Sequence, residues 1–257
     1  MGERRTMLSS SLLRTIDIYE GASAYIGTHE TVPVSMFSPI THALRHMYNN
    51  YGETRITDAY MSLGAEFHNH ASGVVTLAGE TTIFEDPQIG HPEPVLVNSG
   101  LMRLDAGDAG LGGTSKAIIN ARLINNGTLD IGSNTLRLQR GSEHSGEIRL
   151  DGGTVEFEKS VVHHFHTGAR IVGSDGLAMF RNASLVSGAL QSSVDVQFGW
   201  PTDSNPVTLS GSLQTDAGVV SYQPMTFGGA VSIGTDAVLY RDTTFLDTAQ
   251  IGNDLIL

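Results

Sequence analysis

Residues 123–150 read LINNGTLDIGSNTLRLQRGSEHSGEIRL. The stretch holds three short runs, Thr128-Leu129-Asp130-Ile131, Thr135-Leu136-Arg137-Leu138 and Glu147-Ile148-Arg149-Leu150, each bounded by Gly, Asn or Ser. Side chains of an extended chain point alternately to opposite faces. Leu129 with Ile131, Leu136 with Leu138 and Ile148 with Leu150 therefore share a dry face, while Asp130, Arg137 and Arg149 take the wet one. Each run is too short to stand alone as a strand. Its polar–Gly–strand–Gly frame returns as NNGTLDIG, HSGEIRLDGG and HTGARIVG, so the unit of folding is a repeat.

Outward from that stretch the chain keeps this grammar. Strand-like runs recur about every 7 to 12 residues, a spacing that all-β sandwiches share. Three features favour a solenoid: the near-copies, the scarcity of two-residue hairpin turns, and the shortness of the strands. The reading is an all-β, right-handed parallel β-helix. With roughly 20 residues per coil it predicts about ten to twelve coils stacked at about 4.8 Å, a rod on the order of 50 Å long.

One segment breaks the pattern. Residues 38–50 place a Ser N-cap and Pro39 before Ile40, Ala43, Leu44 and Met47 at helical spacing, with Asn49, Asn50 and Gly52 as the stop. This predicts one short N-terminal α-helix that caps or inserts beside the coils. Residues 1–53 then hold N-terminal strands plus that helix. Residues 54–257 hold the solenoid proper, continuous with 14–53. Two stretches rich in Pro and turn residues, 85–94 and 199–206, predict loop excursions, the second with the only Trp at its base.

Composition agrees and excludes several classes. Thirty glycines, 7% aromatic and 16% charged residues suit many tight turns better than a helical protein. A net charge of -12 repels phosphate backbones, so no nucleic-acid partner is expected. The chain has no cysteine, which removes disulfides and thiolate zinc sites. The apolar run from Met7 to Leu13 is broken by Ser9, Ser10 and Ser11 and is too short for a signal-peptide core. No run of 18 apolar residues exists, so no membrane span is expected.

The order IINARLINNGTLDIGSNTLRLQRGSEHSGEIRLDGGTVEFEKSVVHHFHTGARIVG resembles the glycine-rich repeats of large bacterial surface and secreted β-helix proteins of the adhesin type. The likeness spans residues 117–189, with weaker echoes at GAEFHNHASGVVTLAG (64–79) and VNSGLMRLDAG (97–107). It implies an extracellular or cell-surface location, a structural or adhesive role, and no catalytic residues. An export signal, if used, lies outside this chain or has been removed.

Candidate sites are few. His42 and His46 stand four apart on the expected helix, and His68 and His70 two apart on a strand. Together they form a candidate four-nitrogen metal site, zinc being the natural occupant. Against it, the motif lacks the Glu of HExxH, and Arg45 repels a cation. His163, His164 and His166 form a second cluster, His164 and His166 on one strand face and His163 with Phe165 on the other; it reads as a surface ladder, the alternative being a pH-sensitive surface near pH 6.5. Asp105 and Asp108 lack the calcium-repeat pattern. Asp216, Asp236, Asp242 and Asp247 fall in successive turns, where a column of carboxylates needs staggering or a calcium-like cation. Arg137, Arg149 and Arg170 point outward, with Glu147 and Glu156 near enough to neutralise them. The tail Leu255, Ile256 and Leu257 carries no polar cap and is a candidate interface for self-association or for neighbouring domains. The function expected is a non-enzymatic structural or adhesive module that builds filaments end to end. The alternative is a glycan-binding or glycan-cleaving β-helix of the phage-tail or polysaccharide-lyase type.

Overall fold

A computed structural model describes residues 15–27, 41–44, 47–85, 94–105, 115–158, 161–181 and 185–257. These form 32 strands and no helix. Every pairing among them is parallel. The strands fall on three faces wound about one axis. One coil of the central stretch shows the order: Arg122–Asn125 on the first face, Thr128–Gly132 on the second, Thr135–Leu138 on the third. The next coil repeats it with Ser142–His144, Glu147–Asp151 and Thr154–Phe157. The third face is an 11-stranded sheet, so the described residues make 11 coils. The first two faces merge into a 21-stranded sheet because Leu185–Ser192 runs unbroken through both.

The alternation expected from the sequence sets the inside. Leu129, Ile131, Leu136, Leu138, Ile148 and Leu150 are all buried, at no more than 1% exposure. Residues of one type stack on their equivalents in the next coil. Phe157 lies on Phe180 at 4.5 Å between ring centres and 7° between planes, and Phe180 on Phe198 at 5.4 Å. Burying each such side chain contributes roughly 1.5–3 kcal/mol, and offset stacking adds about 0.5–1.5 kcal/mol.

A polar column runs through the same core. Asn50, Asn69, Asn98 and Asn125 are in register on the first face and at most 1% exposed. Each Nδ2 donates to the next Oδ1, at 2.8, 2.7 and 2.8 Å. Each of the first three also donates to a backbone carbonyl, of Val74, Leu101 and Thr128. At the ladder's head, Thr54 Oγ1 donates to Asn50 Oδ1. That uses the only Thr54 hydroxyl proton, so the Tyr48 hydroxyl donates to Thr54 in turn, at 2.8 Å. A buried carboxamide is stable only with its donors and acceptor engaged, and this column engages them by repetition.

Beside the ladder, where the first face turns into the second, stand Gly73, Gly100, Gly127 and Gly146. A Cβ on Gly127 would lie 2.2 Å from the Gly100 carbonyl oxygen, and one on Gly100 2.3 Å from that of Gly73. These carbonyls accept the N–H of the next coil, as Gly100 O does from Thr128 N at 2.9 Å. Close approach of backbone to backbone, rather than an unusual φ, is what demands glycine here.

The expected helix is absent. Thr41–Leu44 is a third-face strand paired with Tyr60–Leu63, and Met47–Asn50 is a first-face strand paired with Thr15–Ile18 and Phe67–Asn69. Helical spacing would bury Met47; here Met47 is 40% exposed, while Tyr48 and Asn50 point inward. Pairing with coils on both sides, together with the place of Asn50 in the ladder, outweighs a local propensity worth only tenths of a kcal/mol per residue. Ser38, Pro39, Ile40, Arg45 and His46 lie outside the described residues, as does most of the excursion at 85–94. The excursion at 199–206 is a turn-rich loop as expected.

Two substitutions test the ladder and the glycine corner. Asn98→Leu strands the Asn125 acceptor and one donor contact of Asn69, and is expected to cost about 3 kcal/mol in urea unfolding. Gly127→Ala forces neighbouring coils apart and is expected to cost ~2 kcal/mol or more. Unchanged unfolding midpoints in both variants would contradict this packing.

Candidate functional site

The side chains with the richest chemistry gather around the coils between residues 122 and 200. On the third face, Arg137 points outward and its Nε donates to Glu156 Oε2 at 2.8 Å, while its Nη2 meets Glu158 Oε1. Gln139 Nε2 donates to Glu158 Oε2 at 2.8 Å. Arg181, one coil further on, donates from Nη1 to Glu158 Oε1 at 3.2 Å, and its guanidinium lies 5.4 Å from the centre of the Trp200 ring. Strand alternation and register bring Arg137 over Glu156. Glu158 and Arg181 follow the strands Thr154–Phe157 and Leu177–Phe180 at the same corner. Burial alone pushes the Glu158 carboxyl up. The Gln139 amide and the Arg137 guanidinium overcome it, and the net shift is downward. Glu158 is thereby held ionised, which suits it to fixing its partners and not to donating a proton.

The second face repeats the motif in a more open setting. Glu147 accepts from Arg149 and from Arg170 Nε at 2.9 Å, and the Arg149 hydrogen bond leads in holding its carboxyl below the usual range. The three outward arginines expected from the sequence are thus neutralised in place and form no basic strip. Arg55 likewise pairs with Asp105 at 2.9 Å.

The corner between the third and first faces holds a groove of about 460 Å³ lined by Glu85, Arg122, Arg140, Glu143, Val162 and His164, among others. Arg140 pairs with Glu85 at 2.9 Å, and Arg122 with Glu143. His166 stands 3.6 Å from the second oxygen of Glu143, and His164 bonds Ser187 Oγ at 2.5 Å. His164 and His166 are outward neighbours with ring centres 4.3 Å apart, the surface pair expected from alternation.

Inside the same coils lies a cluster that sequence reasoning only half found. His144 and His163 are fully buried, and Ser142 Oγ sits 2.8 Å from both His144 Nε2 and His163 Nδ1. The inward position of His163 follows from alternation with Phe165. His144 was missed, although aligning NNG (125–127) with HSG (144–146) puts it directly over Asn125. The third near-copy, HTG (166–168), is out of phase by one residue: Phe165, and not His166, lies over His144.

The four histidines expected to hold a metal are not gathered by a helix. His42 lies on the third face, its Cα in register with Met61; His68 lies on the first face, and His46 is outside the described residues. His68 Nε2 bonds Glu66 at 2.7 Å, and His70 stacks on Tyr51 at 4.0 Å and bonds Asn49. Burial and then His68 lower the His70 pKa, with Asp17 opposing. Among the described residues no group of three or more His, Asp or Glu side chains is placed to hold a metal ion. In the C-terminal turns Asp216 follows the second-face strand Ser212–Thr215, Asp236 precedes the third-face strand Ala237–Leu239, Asp242 the first-face strand Thr243–Phe245 and Asp247 the second-face strand Ala249–Ile251, so the four carboxylates form no single column. Leu255, Ile256 and Leu257 are 48%, 52% and 88% exposed.

Arg137→Met leaves Glu156 and Glu158 facing each other with Arg181 as the cation they still share. It is expected to cost about 2 kcal/mol at pH 7, and less as the pH falls towards the depressed range in which the Glu158 carboxyl is protonated. Arg149→Met, at an exposed pair, is expected to stay within about 0.5 kcal/mol. Equal effects of the two, by denaturant titration, would contradict the distinction. Comparison of the chain with protein-family models, with curated proteins and with solved structures returns no match.

Proposed function

We propose that this solenoid is a non-catalytic structural or adhesive module of an extracellular bacterial surface or appendage protein, and that it associates end to end into filaments. The observation that carries this reading is the unbroken parallel stack of 11 third-face strands with its ladders of like residues. Such a stack is a rod on the order of 50 Å long, stiff along its axis because every coil is hydrogen-bonded to its neighbours. Outward arginines on the central coils are paired with carboxylates of the same surface, which fits a surface that spaces or presents. The likeness to adhesin-type repeats over residues 117–189 supports the surface setting.

A second reading, a glycan-binding solenoid, draws on Trp200, which is 40% exposed over Arg181, and on the groove beside Arg122 and Arg140. An aromatic face beside paired polar groups suits the mixed apolar and hydroxyl surface of a sugar ring.

Electron microscopy and light scattering of the purified chain test the first reading. Rods that lengthen in steps with concentration are expected. A strict monomer at high concentration contradicts the filament. Incubation with a polysaccharide panel is expected to release no new chain ends; cleavage would overturn the non-catalytic assignment.

A further inference from the structure

The inward columns of the first face change character at one coil. The ladder column runs Asn50, Asn69, Asn98 and Asn125, then His144 and Phe165. The column beside it runs Leu96 and Leu123, then Ser142 and His163, then Val186 and Leu209. On one side of this join the core holds the asparagine ladder beside Tyr48, Phe67, Leu96 and Leu123. On the other the ladder has ended, and Phe165, Phe180 and Phe198 fill the core with Val186 and Leu209. Ser142, His144 and His163 fill the join between them.

Hydrogen-bond accounting shows the join to be incomplete. Ser142 has one proton to give and bonds two imidazoles, so it donates to one ring and accepts an N–H from the other. Either arrangement leaves one ring with a bare nitrogen and the other with an unused N–H. Those atoms are His144 Nδ1 and His163 Nε2, both buried and both without a hydrogen-bond partner. Aromatic carbon covers much of the rest: His144 stacks on Phe165 at 5.0 Å and meets the edge of Phe157 at 5.7 Å, and His163 meets Phe157 at 5.1 Å, with the Glu158 backbone carbonyl as its polar neighbour. Asn98 already holds the Asn125 acceptor beneath them.

We propose that the Ser142–His144–His163 cluster is an acid-operated seam, at which proton uptake by the imidazoles opens the stack while the coils on either side stay folded.

The groups around the seam favour this. Burial comes first in lowering His144, to about 3, and His163 and then His166 push the same way. Burial likewise lowers His163, to about 4, opposed only by the backbone carbonyl of Glu158. The nearby carboxylates are engaged elsewhere: Glu143 by Arg122 and His166, Glu158 by Arg137 and Arg181. The flanking coils present Leu123 and Asn125 on one side and Phe165 and Val186 on the other, none of which can balance a positive charge. The folded chain thus keeps both rings neutral, whereas the open chain protonates them near 6.5. The open form binds more protons, so the folded form is favoured fully above about pH 6.5 and progressively less below it. Each histidine shifts the opening equilibrium about tenfold per pH unit in that window, down to its folded value.

Hydrogen exchange read by mass spectrometry at pH 7.5 and pH 4.5, corrected for intrinsic rates, tests the seam. Segments covering 138–166 are expected to lose at least tenfold more protection at pH 4.5 than segments covering 207–240. The double variant His144→Asn and His163→Leu, which copies Asn125 one coil before His144 and Leu123 two coils before His163, is expected to keep its protection. Equal loss in both segments, or equal loss in wild type and variant, overturns the proposal. Should the variant fail to fold at pH 7.5, NMR titration of the ring protons of the native chain decides. Two of the ten histidines are then expected to remain neutral until the seam opens. Titration of all ten near pH 6 to 7, with the rest of the spectrum unchanged, overturns it.

Discussion

A strand of three to five residues cannot hold itself together, and nearly every strand here is that short. Its backbone N–H and C=O groups are satisfied by the coils before and after it. That makes parallel hydrogen bonding between coils the constraint on which everything else rests. Once adjacent coils are locked at about 4.8 Å, each inward residue must tolerate its own equivalent directly above and below. Aliphatic and phenylalanine side chains meet that demand by stacking. Asparagine meets it by passing one hydrogen bond to the next coil. At the corner beside the ladder the demand becomes absolute, because the Gly100 carbonyl lies where a Cβ of Gly127 would be. Ser142, His144 and His163 meet the demand only in part, and the departure marks where the rod changes from one kind of core to the other.

Much of this was legible in the chain. Leu129, Ile131, Leu136 and Leu138 announce an inward face by alternation alone, and the separation of the near-copies announces a coil. Asn50 and Asn69 are 19 residues apart, the bare coil, while Asn69 and Asn98 are 29 apart because an excursion intervenes. Irregular spacing of that kind hides the ladder: the four asparagines look like turn residues until register aligns them. The segment at 38–50 was misread for a related reason. Its apolar residues satisfy a helical period, and only pairing with Tyr60–Leu63 and Phe67–Asn69 shows which period is used.

The candidate site was legible in outline. Outward Arg137, Arg149 and Arg170, and inward His163, follow from alternation. Their partners do not, because Glu158 and Arg181 reach the Arg137 cluster from other coils at a corner whose geometry depends on the turn. A one-residue difference between HSG and HTG decides whether a histidine is buried over Asn125 or exposed beside Glu143. Sequence period says which face a residue takes, but not which neighbour it meets one coil away.

The most direct test of the parallel stack uses the absence of cysteine. Thr135 and Thr154 are register partners on the third face, both partly exposed. Adjacent Cα atoms at the strand spacing fall within the range a disulfide can bridge. The pair Thr135→Cys and Thr154→Cys is expected to oxidise readily to an intramolecular disulfide, seen as a mass loss of about two hydrogens in peptide mapping. The pair Thr135→Cys and Leu177→Cys, two coils apart, is expected to stay reduced. Bridging of the distant pair in place of the near one would contradict the coil-on-coil register from which the fold, the ladder and the seam are all derived.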